Sequence, residues 1–209
     1  MTRRGCLPGT WNRRLPRSGE AGTSLIEILG VLVVIALLGA TAVPVFQGQR
    51  DAVRTSGAAR HLAALVSLTR AESLKRGIHV GLMFQPEGGS FRFAMFADGN
   101  HDGVRAVDIS SGVDRQVTAW GRIGDHFPGA TLGIVSGVPD PESGAPLTGS
   151  PVRLAGGSLL SFGPAGGATS GTVYVRGPAE QQFAVRILGT TGRSRVLRYN
   201  FGARRWGVA

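Results

Sequence analysis

Three oxygen-bearing side chains stand two residues apart in a short polar segment. Asp98, Asn100 and Asp102 precede Gly103, which matches the first half of the D-x-[DN]-x-[DN]-G loop of calcium-binding proteins. Oxygens at this spacing converge on one cation, but the twelfth position of such a loop needs an acid, and Ile109 stands there. The sequence therefore leaves a calcium site and a polar turn as alternatives. It favours the turn, because Asp, Asn and Gly are common in turns.

Side chains that could support catalysis are few and scattered. No serine stands in a G-x-S-x-G elbow, and no local motif groups a serine with a histidine and an acid. The only cysteine is Cys6, close to the N-terminus. The histidines show no metal-ligand spacing such as H-x-x-x-H; they are His61, His79, His101 and His126. The sequence therefore argues against an enzyme, and calcium is the only cofactor that it suggests.

One acid, Glu27, interrupts a long apolar run. Residues 25–46 read LIEILGVLVVIALLGATAVPVF, which as a helix would be roughly 33 Å long and match the hydrocarbon core of a bilayer. Residues 1–22 hold five arginines and one glutamate, a bias that predicts a cytoplasmic N-terminus and a C-terminal body across the membrane. A carboxylate inside an apolar helix costs several kcal/mol unless it has a partner, so Glu27 is a candidate functional residue.

Two alternatives give this segment simpler roles. The carboxylate of Glu27 could reach water at the helix end without any partner. The run could instead be a secretory signal peptide that is cleaved after the A-x-A-like residues 40–42. An acid inside the run and an amphipathic pattern after it argue against the secretory signal.

The start of the run resembles the processing site of type IV prepilins and type II secretion pseudopilins. In the segment GTSLIE, Gly22 matches the residue before the cut and Glu27 the fifth residue after it. Pro44 stands where many members of these families have a kinking proline, whereas Thr23 replaces their usual Phe or Met. The resemblance implies that a prepilin peptidase removes residues 1–22 and leaves Thr23 as an N-terminus open to methylation. In a filament, Glu27 would then pair with the α-amino group at Thr23 of a neighbouring subunit and set the axial register.

The rest of the chain is similar to the GspH and FimT group of minor pseudopilins and minor pilins. Four segments carry this similarity: residues 64–77, 96–109, 161–175 and 191–200. It implies a low-copy subunit that primes or joins a thin filament, with other pilins or pseudopilins and the inner membrane as partners. The protein would be a single-pass inner-membrane protein with a periplasmic head. The sequence leaves open whether the machine is a type II secretion system or a type IV pilus.

The periodicity of the sequence, together with the prepilin resemblance that implies the cleaved leader, predicts an α+β fold in four parts. These are a cleaved leader at 1–22, a transmembrane helix at 23–50, an amphipathic continuation at 51–77 and a β-rich head at 78–209. Leu62, Val66 and Ser73 share one face of the continuation, and Gly77 ends it. Seven apolar runs predict the strands of an antiparallel sheet. The family resemblance implies that the strands form a β-sandwich-like head packed on the helix. The runs are residues 78–84, 91–97, 130–135, 158–162, 172–176, 183–188 and 195–201. Residues 136–151 are rich in proline and glycine and predict an exposed loop.

The C-terminal region carries a strong positive charge. The formal net charge of the chain is +10, and residues 176–209 hold seven arginines against one glutamate. Arg193 and Arg195 form a G-R-x-R pattern that resembles FimT-like minor pilins of DNA uptake, and Arg204 and Arg205 follow. Alternation along a strand would place Arg193 and Arg195 on one face, where they could contact DNA phosphates without reading sequence. The alternative, which the sequence favours, is that these arginines are solvated or contact partner pilins or anionic lipids.

Overall fold

The computed structural model describes residues 24–178 and 180–209, except for the side chains of residues 41–47. The chain divides into two compact units, Met1–Val43 and Pro44–Ala209. The helices are α1 (Leu25–Arg76), α2 (Ala106–Ser111) and α3 (Ile123–His126). The strands are β1 (Val80–Glu87), β2 (Ser90–Ala97), β3 (Arg115–Gln116), β4 (Gly121–Arg122), β5 (Thr131–Leu132), β6 (Val152–Leu154), β7 (Leu159–Phe162), β8 (Gly171–Gly177), β9 (Gln181–Ile187), β10 (Ser194–Asn200) and β11 (Arg205–Val208).

Helix α1 ends where the sequence places its stop. Lys75 and Arg76 lie in the last turn, where positive charge favours the negative end of the helix dipole. Gly77 follows with φ +67, a left-handed conformation that costs glycine little. The Ser73 hydroxyl lies 2.8 Å from the Ile78 carbonyl oxygen and 2.9 Å from that of Phe162, so it can donate to either. These contacts join the end of the helix to the last residue of β7.

Two antiparallel sheets form the head, as the α+β prediction requires. The first sheet has the order β3-β2-β1-β7, with β4 also paired to β2. The second has the order β11-β10-β9-β8-β5, with β6 also paired to β8. Tight pairing of β1 with β2 and of β8 with β9 gives each sheet a central hairpin. Most of the predicted apolar runs therefore became strands, although the run at 130–135 contributes only the two residues of β5.

The main core lies where one face of α1 meets the inner faces of both sheets. Helix α1 contributes Ala58, Ala59, Leu62 and Val66, all fully buried. The sheets contribute larger apolar side chains, with Phe84 from β1 and Val185 from β9 among them. The close approach of α1 to β8 depends on a glycine, because a Cβ at Gly177 would overlap the hydroxyl of Thr55. Burial of this helical face joins α1 and both sheets in one hydrophobic core.

The prediction of an exposed loop at residues 136–151 is wrong in part. Val138 is fully buried and Leu147 nearly so, and both pack against Tyr174 on the outer face of the second sheet. The Tyr174 hydroxyl donates to the carboxylate of Asp140 at 2.9 Å. The Trp206 indole N–H donates to the carbonyl oxygen of Pro139 at 2.8 Å. The loop contains no strand but folds back over this face, because its two apolar side chains find an apolar surface there.

Candidate functional site

The N-terminal part of α1 exposes a nearly continuous apolar surface. Every described side chain in residues 25–40 is exposed, including Leu25 at 82% and Leu37 at 64%. Contiguous apolar surface of this kind is typical of sites that bind other proteins or lipid. Among the described residues, no helix is apolar over a long enough stretch to cross a membrane.

Glu27 is the single acid of this segment. It lies in the first turn of α1, where a negative charge is favourable to the helix dipole. The backbone N–H of Glu27 donates to the Ser24 carbonyl oxygen at 3.0 Å, which starts the helix. Its carboxylate is exposed, and the residues beside it in the sequence carry exposed apolar side chains, such as Ile26 and Ile28. Gly22 and Thr23 lie outside the described residues, and Pro44 falls within α1 at a position whose side chain is not described.

The segment predicted as a calcium site or a turn forms a compact loop around Asp98. This side chain is 5% exposed. One carboxylate oxygen, Oδ1, accepts from the backbone N–H of Asn100 at 3.1 Å and of His101 at 2.7 Å, and Oδ2 accepts from Gly103 at 2.8 Å. Burial acts to raise the pKa of Asp98, but these three donors outweigh it and hold the pKa below its usual range.

A second buried acid, Asp114, completes the loop and was not identified from the sequence. Its Oδ1 accepts from the Gly99 N–H at 3.1 Å, and its Oδ2 accepts from the Arg105 N–H at 2.9 Å. Asp102 instead forms an ion pair with the Arg105 side chain at 2.9 Å. Asp114 lies beyond α2 in the sequence, so no local spacing could have shown its part in the loop.

These contacts favour the polar-turn interpretation of the loop. Both carboxylate oxygens of Asp98 already accept backbone hydrogen bonds, and Asn100 Oδ1 faces the Asp102 N–H at 3.4 Å. In the part of the chain that the structure describes, no three histidine, cysteine or acidic side chains are grouped to hold a metal ion. Calcium binding by Asp98, Asn100 and Asp102 stays a prediction.

The C-terminal arginines lie on two different faces of the second sheet. Strand β11 pairs with β10 so that Arg205 lies opposite Asn200, and these two residues share a face with Arg198. Arg195 lies on the other face, together with Tyr199. About 17 Å of strand separates Arg195 from Asn200, at roughly 3.3 Å per residue. The predicted four-arginine surface is therefore divided, with Arg193 and Arg195 at one end of β10 and Arg204 and Arg205 at the other.

All of these arginines are exposed, and their charges are not neutralised locally. Within the described residues no ion pair involves Arg193, Arg195, Arg198, Arg204 or Arg205. The eight ion pairs of the described residues involve other side chains, such as Arg186 with Glu142. Arg195 lies directly opposite Arg186 in the β9–β10 pair, so two arginines stand side by side on adjacent strands. Arg198 was not among the predicted site residues, although its spacing of three from Arg195 indicates the opposite face of a strand.

The histidines do not assemble a site, but two of them meet. The rings of His61 on α1 and His126 on α3 have their centroids 5.6 Å apart. Burial lowers the pKa of His61, and the neighbouring His126 lowers it further. Phe127 packs on the same imidazole, also at 5.6 Å. This contact packs the short helix α3 against α1.

One comparison with known proteins gives a match. The family model described as type II transport protein GspH matches residues 58–192, which is more than half of the chain. The match begins on the buried face of α1 and ends just before Arg193. It therefore spans the main core, the first sheet and part of the second sheet, and it ends before β10 and β11. No curated protein and no solved structure matched the chain.

Proposed function

Because the chain belongs to the type II transport protein GspH family, whose members are structural pseudopilins and not enzymes, we propose that it primes or joins a pseudopilus. The family indicates a minor pseudopilin of type II secretion, with other pseudopilins as partners. The proposal adds that a prepilin peptidase cleaves after Gly22, that the apolar segment inserts into the inner membrane, and that the head lies in the periplasm.

The exposed apolar surface of residues 25–40 carries this proposal. Side chains such as Leu32, Ile35 and Leu38 are each more than half exposed. Covering one such side chain contributes on the order of 1.5–3 kcal/mol, so several together strongly favour a lipid or helical environment. A folded head of the GspH family joined to an exposed apolar segment is what we expect of a filament subunit that is held in the membrane before assembly.

Glu27 gives the proposed assembly its register. Once the apolar segment is surrounded by lipid or by other helices, an unpaired carboxylate there costs several kcal/mol. The α-amino group created at Thr23 of an adjacent subunit supplies an opposite charge in the same low-dielectric layer. Only one axial offset between neighbouring helices brings these two groups together. The pair would therefore favour one register and disfavour others.

The experiment compares two substitutions in this segment in the native host. Glu27→Val removes the charge and keeps the segment apolar, so membrane insertion should persist while incorporation into cross-linked pseudopilin complexes falls. Ile28→Val is the matched control, because it alters the adjacent exposed position and leaves the carboxylate in place. Both variants are scored for membrane fractionation and for cross-links to the other pseudopilins. Equal cross-linking of the two variants would contradict the role given to Glu27.

A second candidate function is a pilus subunit that binds DNA without sequence specificity. The exposed, unneutralised Arg193 and Arg195 favour it, since such side chains contact phosphates and release counterions. The full-length protein in detergent would then bind duplexes of any sequence at low salt. Arg193→Ala with Arg195→Ala would weaken binding and reduce the salt slope by about two. Arg60→Ala, an exposed arginine of α1, is the control. Equal binding by the double variant and the control would remove this candidate.

A further inference from the structure

A cavity of about 510 Å³ opens at the end of the head where α1 enters it. The helix lines it with Gln49, and the ends of the strands line it with Glu180, Gln181, Arg198, Asn200 and Phe201. All of these residues belong to the unit Pro44–Ala209. The volume lies in the range of pockets that hold a small ligand. Neither the assembly role nor the DNA candidate uses this cavity.

One side of the cavity is suited to a phosphate. Arg198 is exposed, lines the cavity and takes part in no ion pair within the described residues. Asn200 uses its Oδ1 to accept from the Ala203 N–H at 3.0 Å, which leaves its amide N–H groups to donate. Arg205 lies opposite Asn200 on the same face of the sheet. Guanidinium and amide donors held together in this way favour binding of a phosphate.

The other side of the cavity offers hydrogen-bond acceptors. Gln181 Oε1 is buried and has no hydrogen-bond partner among the described residues, and the Nε2 of this side chain makes only a 3.5 Å contact to the Gly48 carbonyl oxygen. Rotation about its broad terminal torsion would turn the oxygen towards the cavity. Glu180 adds a carboxylate and has φ +57, a conformation that glycine adopts more readily.

We propose that this cavity binds the phosphoethanolamine headgroup of a phospholipid. Arg198, with the amide of Asn200, takes the phosphate, and Glu180 with Gln181 Oε1 accepts hydrogen bonds from the primary ammonium. Phe201, which is 36% exposed, lies at the cavity as an aromatic side chain of the type found at membrane interfaces. The proposal rests on the membrane placement proposed above.

The chemistry distinguishes this headgroup from related ones. A primary ammonium donates up to three hydrogen bonds, whereas the trimethylammonium of phosphocholine donates none and leaves both acceptors unsatisfied. A phosphoglycerol headgroup offers hydroxyl donors without a positive charge beside Glu180. The cavity should therefore prefer phosphatidylethanolamine to phosphatidylcholine by at least about threefold, the ratio expected from one net hydrogen bond.

Native mass spectrometry of the full-length protein in detergent tests the proposal. Phosphatidylethanolamine, phosphatidylcholine and phosphatidylglycerol are added in equal amounts, and the retained lipid is identified. Arg198→Gln should lower retention of all three, and Gln181→Leu should reduce the preference for phosphatidylethanolamine over phosphatidylcholine, since Glu180 remains as an acceptor. Arg60→Gln is the control, since it removes an exposed arginine of α1 that does not line the cavity. It should retain lipid as the wild type does.

Two results would overturn the proposal. One is equal retention of phosphatidylethanolamine and phosphatidylcholine by the wild type, and the other is equal retention by Arg198→Gln and Arg60→Gln. Loss of cross-links to another pseudopilin in Arg198→Gln, with lipid retention unchanged, would identify a protein interface instead. Failure of the assembly role is separate, because it appears as loss of wild-type protein from membrane and pseudopilin complexes. The headgroup proposal can fail while that incorporation is normal.

Discussion

Leu62 gives the sharpest test of how α1 is held on the head. Its side chain is 0% exposed and packs between the two sheets, with the fully buried Ala58 and Val66 one turn away on either side. Leu62→Ala keeps a good helix former and leaves a cavity that these short neighbours cannot fill. Substitutions of this type cost about 3 kcal/mol. At about 2–4 °C per kcal/mol for a chain of this size, the thermal midpoint should fall by about 6–12 °C.

The assay is thermal unfolding of the full-length protein in detergent, followed by circular dichroism. Leu68→Ala is the matched control, because it makes the same change in the same helix at a side chain that is 47% exposed. The control should lower the midpoint by no more than about 2 °C, since surface substitutions rarely exceed about 0.5 kcal/mol. Equal shifts for the two variants would refute the burial of this helical face in the core of the head.

Three further substitutions test individual contacts. Ser73→Ala leaves the buried carbonyl of Phe162 without its side-chain donor and should cost about 1–2 kcal/mol in thermal unfolding; an unchanged midpoint would contradict that contact. Tyr174→Phe removes the hydroxyl bound to Asp140 and should make residues 136–147 more sensitive to limited proteolysis, whereas an unchanged cleavage rate would contradict the docking of that loop. Asp98 has a lowered pKa in the folded state, so its stabilisation is present above the unfolded pKa of about 3.9 and is lost as the pH falls through the lower folded value. Wild-type stability should therefore drop more steeply than that of Asp98→Asn below about pH 4, and parallel pH profiles would contradict the role of this carboxylate.

The helix and the longer strands could be predicted because each signal is local. The buried positions of α1 recur every three or four residues, and Gly77 ends the helix without help from distant residues. The strands β1, β2 and β7–β10 carry four or more residues with β-forming side chains between turn signals. Local patterns of this kind also placed Glu27 in the first turn of its helix.

Shorter elements depended on partners far away in the sequence. The strands β3, β4 and β5 have two residues each, and β6 has three, which is too few for any periodicity. They form because a longer strand offers them an edge, as β2 does for both β3 and β4. The burial of Val138 has the same origin, since its partner Tyr174 lies on β8. The proline and glycine content of the loop at residues 136–151 does not predict the contact between Val138 and Tyr174.

In the candidate sites, too, local features could be predicted from the sequence, and contacts between distant segments could not. Alternation along a strand predicts Arg193 and Arg195 on one face, but β10 begins only at Ser194. The separation of these arginines from Arg204 and Arg205 follows from the pairing of β10 with β11. The Asp98 loop was visible from its spacing, whereas Asp114 became part of it only through the turn after α2. The cavity beside Arg198 joins α1 to the ends of β9 and β10, and no sequence pattern brings these segments together.

The N-terminus of the mature protein tests the central claim most directly. Intact mass and N-terminal sequencing are measured on the protein extracted from the membranes of its native host. The proposed pseudopilin predicts a chain that starts at Thr23, with or without a single methyl group on its α-amino nitrogen. A chain that starts at Val43 would identify a secretory signal, and an intact Met1 would exclude prepilin processing; either result would contradict the account.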